Sequence, residues 1–213
     1  MTVIPAINCL DFDCVKDLTR QATAFMPKDG WLHLDIADGR FTFNRTWGEP
    51  ARWHEVQGGL KLEVHLMVEE PEKIVPYWLE AGARRIIVHV EALTPERVSV
   101  IMKAARSRGV EVMLSSNPET SVEALTPYLG ICSQFQVLSV HPGMAGQSFL
   151  PSTLEKLKAL RRALPGAWIE ADGGMNRETA ILVKAAGANA IAAASFIFGR
   201  SDPSKAYQEL CAV

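Results

Sequence analysis

The 213-residue sequence lacks long apolar runs. No stretch of about 18 consecutive apolar residues occurs, so no membrane-spanning helix is expected. The segment Met1 to Asp13 has no basic stretch followed by an apolar run, and no secretory signal is expected. Excess charge is also missing: 22 Lys plus Arg oppose 24 Asp plus Glu, a formal charge of −2. That balance lacks the basic footprint of a nucleic-acid binder. The five tryptophans, at positions 31, 47, 53, 78 and 168, show no stacking pattern for nucleic acid. Cysteine is scarce. Cys9, Cys14, Cys132 and Cys211 form no CxxC pair and no zinc-finger spacing, so a reduced, cytoplasmic protein without a disulfide framework is expected. Disorder is excluded by 48% hydrophobic and 22% charged residues. No linker, low-complexity tract or shift in composition interrupts the chain, which reads as a single domain over residues 1–213.

What is present is an alternation of two periods. Short runs rich in Val and Ile predict strands at Val3–Ile7, Trp31–Ile36, Lys61–Met67, Arg85–Val90, Glu111–Ser115, Gln134–Val140, Trp168–Asp172 and Ala190–Ala194. Amphipathic stretches between them predict helices at Phe12–Phe25, Pro50–Gln57, Pro71–Ala81, Pro95–Ser107, Ser121–Tyr128, Pro151–Ala163, Arg177–Ala186 and Asp202–Leu210. The average unit is about 27 residues, enough for a strand, a helix and two turns. Pro71, Pro95, Pro151 and Pro203 fit first-turn positions, with Thr94 and Asp202 as N-caps. Gly82, Gly109 and Gly187 fit positions just beyond helix ends. Repeated strand–helix units predict an α/β fold with a parallel sheet, and eight of them predict a closed (β/α)8 TIM barrel rather than an open doubly wound sheet.

Catalytic groups of such a barrel sit at the C-terminal ends of the strands. His33 and Asp35 are two apart on the second strand and share a face. His65 lies near the end of the third strand, and Asp172 ends the seventh. Two imidazoles and two carboxylates on one rim suit one divalent ion such as zinc, iron, manganese or cobalt. A phosphate site is expected from the glycine loops that follow strands 6 and 7, with Gly143, Met144, Ala145, Gly146, Gly173 and Gly174, together with Ala194 and Ser195 after strand 8. His89 and Glu91 are expected to have a supporting role, and His54 to lie on the surface. His141 sits on the phosphate-side loop. Arg84-Arg85 and Arg161-Arg162 read as solvated faces.

Five segments carry a resemblance to the ribulose-phosphate 3-epimerase family: His33-Leu34-Asp35-Ile36-Ala37-Asp38-Gly39, Val64-His65-Leu66-Met67, Val88-His89-Val90-Glu91-Ala92, His141-Pro142-Gly143-Met144-Ala145-Gly146-Gln147-Ser148-Phe149 and Glu170-Ala171-Asp172-Gly173-Gly174. The match runs in order from about Ile4 to Gly199. The resemblance implies a TIM barrel that interconverts ribulose and xylulose 5-phosphates by inverting C3. It implies His33, Asp35, His65 and Asp172 as metal ligands, with Asp35 and Asp172 doubling as the acid/base pair, and His65 and Met67 against the substrate. It also implies a small-molecule ketose phosphate as ligand and a homo-oligomer.

The sequence departs from the family pattern at several points. Pro5-Ala6 replaces a Pro-Ser pair, so a hydroxyl near the substrate is missing; Asn8 and Cys9 are the candidates to compensate. Ala37 and Leu138 stand where methionines are usual, Met144-Ala145 where Phe-Gly is usual, and Ala194 where Gly is usual. Alternatives follow from these changes: a 3-epimerase of another ketose phosphate such as a hexulose 6-phosphate, an aldol-type lyase, or a sugar-phosphate-binding barrel without turnover. The lyase needs a lysine beside the aspartates, and strand 2 has none.

Overall fold

The computed structural model describes residues 1–56 and 58–213. Eight parallel strands close in chain order: β1 Thr2–Ile7, β2 Trp31–Ala37, β3 Lys61–Met67, β4 Arg85–His89, β5 Glu111–Ser116, β6 Gln134–Leu138, β7 Trp168–Asp172 and β8 Ala190–Ala193. The helices are α1 Phe12–Phe25, α2 Pro71–Glu80, α3 Pro95–Arg106, α4 Thr153–Ala163, α5 Arg177–Ala185, α6 Ser195–Phe198 and α7 Pro203–Cys211. This is the expected TIM barrel.

Side chains alternate across each strand. The outward set, including Leu32, Leu34, Val64, Leu66, Ile86, Val88, Val137 and Ile169, is fully or almost fully buried against Val75, Trp78, Val98, Ile101, Leu157 and Leu160 of the surrounding helices. The inward set is mostly polar: His33, Asp35, Glu63, His65, Arg85, His89, Ser115, Gln136, Glu170 and Asp172 are all buried. Burying one such group without a partner costs several kcal/mol, on the order of 2–7, so the barrel interior must satisfy them among themselves.

Three expected features differ. The stretches at 50–57 and 121–128 are not α-helices; they form 3-10 turns at Pro50–Glu55 and Val122–Tyr128, and Gln57 lies outside the described residues. Pro127 lacks the N–H an α-helical ladder needs, and the bonds that form there reach back three residues, as in Leu129 N–H to Thr126 C=O at 3.3 Å. Helix α4 begins at Thr153, so Pro151 precedes it. Cys9 and Cys14 are joined in a disulfide with Cα atoms 5.8 Å apart, which corrects the expectation of reduced thiols at these two positions. Cys132 is a buried free thiol and Cys211 an exposed one. Thr94 and Asp202 do cap α3 and α7, accepting from Arg97 N–H and Lys205 N–H.

Candidate metal centre and active site

Strand register brings the four expected ligands together. Asp35 on β2 pairs directly with His65 on β3, and one rung below His33 pairs with Glu63. Asp172 enters from β7, opposite Ala192 on β8. Asp35 Oδ1 lies 2.9 Å from His65 Nδ1 and 3.2 Å from His33 Nε2. Asp172 Oδ2 lies 3.5 Å from His65 Nδ1 and 3.8 Å from His33 Nε2. All four ligand atoms fall within 4.8 Å of one another. Two nitrogens and two carboxylate oxygens converging on one point are a fitting donor set for a divalent transition ion.

The surroundings orient these ligands. His33 Nδ1 faces Glu63 Oε1 at 2.7 Å, and Glu63 is in turn held by Arg85 Nη1 at 2.5 Å. With its Nδ1–H donated to Glu63, a neutral His33 would turn the lone pair of Nε2 toward a bound ion, the usual arrangement behind a metal-binding imidazole. His65 Nε2 lies 2.8 Å from His89 Nε2, and His89 Nδ1 lies 3.1 Å from Glu91 Oε2. Donation from His65 to His89 and from His89 to Glu91 leaves Nδ1 of His65 free to bind. Glu91 also accepts from Asn117 N–H and the Thr120 hydroxyl. Gln136 donates to Asp172 Oδ2 at 3.3 Å and to Glu170 Oε1 at 3.1 Å.

The two aspartates differ in protonation. Burial raises both. For Asp35 that effect is overcome by the two imidazoles packed against it, His33 first, which hold it well below the usual carboxylate range. For Asp172 burial prevails: His33 opposes it, but the negative charges of Asp35 and Glu63 add to it, and the group is raised to about 7. Burial opposes protonation of His33, yet Asp35 and Glu63 raise it well above its ordinary value. Burial lowers His65 to about 4, against the pull of Asp35. Beneath them Glu170 is raised to about 8 by burial and by the charge of Glu63.

A cavity opens above the cluster. Asp35, His65, Met67 and Asp172 form its floor with Ala6, Asn8 and Leu138, while Gly143, Met144, Ala145, Gly146, Gly173, Gly174, Ala194 and Ser195 line its wall. Three of the four expected metal ligands thus share one pocket with the expected phosphate residues, and His33 lies buried beneath it. No lysine or arginine lines it among the described residues, which leaves backbone N–H groups and the side chains of Ser195, Gln147 and His141 as donors for an anion held there. Gly143, at φ +120°, brings its carbonyl against Asn44 Nδ2 at 2.7 Å, and an added Cβ would strike the Asn44 side chain. His141 lines the cavity mouth and pairs with Glu119 at 2.9 Å.

Other expected placements divide. Ala37 does not line the cavity; it is buried, with its N–H donated to Thr46 Oγ1 at 2.8 Å. Arg85 is buried rather than solvated, bonded to Glu63 and Glu111 and stacked 4.1 Å over Trp31. Arg161 is half-buried and ties together the turns that precede β7 and β8, donating to the carbonyls of Ala167 and Gly187. His54 is exposed, as expected. Sequence reasoning missed Glu63, Arg85, Gln136 and Glu170. Glu63 and Glu170 were within reach, because each precedes a ligand by two residues on the same strand and so shares its face.

Comparisons with known proteins place the chain in a family and a fold. The model of the ribulose-phosphate 3 epimerase family matches residues 2–198. A ribulose-phosphate 3-epimerase of Bacillus subtilis is 36% identical over 219 residues, covering 98% of this chain and 97% of the relative. One from Chlamydia trachomatis is 37% identical over 206 residues, covering 92% and 85%. A crystal structure of 3-hexulose-6-phosphate synthase superposes with a TM-score of 0.72 at 17% identity, covering 100% of this chain and 99% of its own, a likeness of fold. With its motifs in order on one barrel rim, the chain belongs to the ribulose-phosphate 3-epimerase family.

Proposed function

We propose that this protein is an isomerase that inverts C3 of D-ribulose 5-phosphate to D-xylulose 5-phosphate, with Asp35 and Asp172 as the acid/base pair. The carrying observation is that two buried carboxylates, Asp35 from β2 and Asp172 from β7, meet two imidazoles at one cluster on the floor of the cavity. Inversion requires a group on each face of a planar intermediate. Asp35 takes the C3 proton from one face, and Asp172, entering from the far side of the cluster on β7, delivers one to the opposite face. Asp172 senses the charge of Asp35, so the two are expected to titrate as a pair. His33, Asp35, His65 and Asp172 would hold one divalent ion, which would supply positive charge where negative charge develops on the sugar oxygens. Met67 and Leu138 supply the apolar floor against the sugar, and the wall from Gly143 to Gly146 with Gly173, Gly174, Ala194 and Ser195 positions the phosphate as a remote handle.

The chain is proposed to act as one domain in the cytoplasm. A homo-oligomer is proposed on the family resemblance, and sedimentation velocity would test it.

The test is deuterium incorporation at C3 of ribulose 5-phosphate, followed by NMR with metal-replete protein. Exchange with appearance of xylulose 5-phosphate, lost in Asp172→Asn, is the expected result. Exchange on a hexulose 6-phosphate alone would move the assignment to that substrate. Binding without exchange on either would make the barrel a sugar-phosphate binder.

A further inference from the structure

We propose that Asn8 is a positioning and specificity-determining residue, which takes over the polar role left empty by Ala6. The inference rests on the epimerase reading above. Ala6 pairs with His33 in the β1–β2 register, so Asn8, two residues on and on the same face, stands level with Asp35. Its Nδ2 donates to Asp35 Oδ2 at 2.9 Å and to Gly143 C=O at 3.2 Å. Both partners are acceptors only, which fixes the amide orientation. Asp35 is thereby divided between two tasks. Oδ1 faces the histidines, while Oδ2 is held by an amide whose second hydrogen grips the loop wall of the cavity.

Asn8 lines that cavity, and among the described residues its Oδ1 accepts no hydrogen bond. It is an unused acceptor beside the catalytic base, of the kind a sugar hydroxyl requires. Ala6, one rung lower, offers no polar atom. The backbone next to Asn8 is fixed from two sides: Cys9 C=O accepts from Trp47 N–H at 2.8 Å, and Cys9 is bonded to Cys14. Asn8 is therefore held in place before substrate arrives, as a positioning group must be.

Four proteins test this: wild type, Asn8→Ala, Asn8→Asp and the double variant Ala6→Ser/Asn8→Ala. Three quantities are read in each: kcat and KM for ribulose 5-phosphate, the Kd of the equilibrated ribulose/xylulose 5-phosphate mixture by saturation-transfer NMR, and Co(II) affinity from the visible spectrum. Asn8→Ala is expected to lower kcat about tenfold or more through the misplaced base and to weaken sugar binding severalfold, with Co(II) affinity within about threefold. Asn8→Asp keeps an acceptor but loses the donor, so its kcat falls while sugar binding is less affected than in Asn8→Ala. The double variant recovers sugar binding toward wild type. Unchanged kcat and Kd in Asn8→Ala overturn the proposal, as does a loss confined to Co(II) affinity. Should wild type bind the sugar without turnover, the epimerase reading fails, and the Kd of Asn8→Ala alone decides whether Asn8 contacts the ligand. Failure of wild type to bind the sugar overturns both.

Discussion

At the N-terminal end of the barrel, Arg85 is enclosed by Glu63, Glu111 and the ring of Trp31. At the C-terminal end, Asp35, Asp172, His33 and His65 face one another, and no lysine or arginine among the described residues pairs with them. Both regions are buried and polar. In the lower one a permanent guanidinium holds both carboxylates, so its groups are locked. The upper one has more ligand atoms than permanent positive charges, so its carboxylates are left to compete for protons or a cation. A closed ion pair serves stability, whereas an incomplete one is available for chemistry.

That contrast can be broken first at the top. Asp35→Asn and Asp172→Asn are each expected to lower kcat by about a thousandfold or more, removing proton transfer and a ligand together while folding is retained. Stopped-time NMR of C3 exchange and circular dichroism check this. A chelator should give a comparable loss of exchange, restored by added divalent ion.

At the bottom the expected loss is in stability. Arg85→Met leaves Glu63 buried without its partner and should cost about 3–5 kcal/mol in urea unfolding. Glu63→Gln/Arg85→Met should recover much of that, because no charge is then stranded. A double variant as unstable as the single one would refute the ion-pair account.

Reduction of Cys9–Cys14 probes the rim more gently. A loop this short gains about 2 kcal/mol at most from its crosslink. Melting with and without a phosphine reductant should show a shift of a few degrees. The smallest effect is at Glu91, whose side chain is 22% exposed. Burial raises it, but hydrogen bonds from His89 and Thr120 and from Asn117 N–H lower it to about 2. A depressed carboxylate stabilises the fold above its unfolded pKa, and that contribution is lost as pH falls from about 4.5 to about 2. After allowance for solvent screening it is about 1 kcal/mol. Glu91→Gln should flatten the stability curve in that window, as acid unfolding monitored by fluorescence would show.

Much of this was legible without coordinates. His33 and Asp35 advertise a shared face by their spacing, and His65 and Asp172 lie at recognisable strand ends. Thr94 and Asp202 cap helices because local chemistry alone decides a cap. The errors have a common cause. Arg85 looked like a surface charge because nothing local reveals that Glu63 and Glu111 stand beside it on the neighbouring strands. The pairing of Cys9 with Cys14 depends on how tightly the chain turns into α1, which spacing leaves open.

The alternation of strand and helix, the barrel it builds and the identity of the four candidate ligands are properties of the sequence, since they depend on periodicity and residue type. The tertiary structure decided three other things: that Asn8 stands level with Asp35, that Ala37 stays off the cavity, and that the two aspartates hold their protons differently. Each depends on register between strands far apart in the chain and on which charges burial leaves nearby, and closure of the barrel sets both.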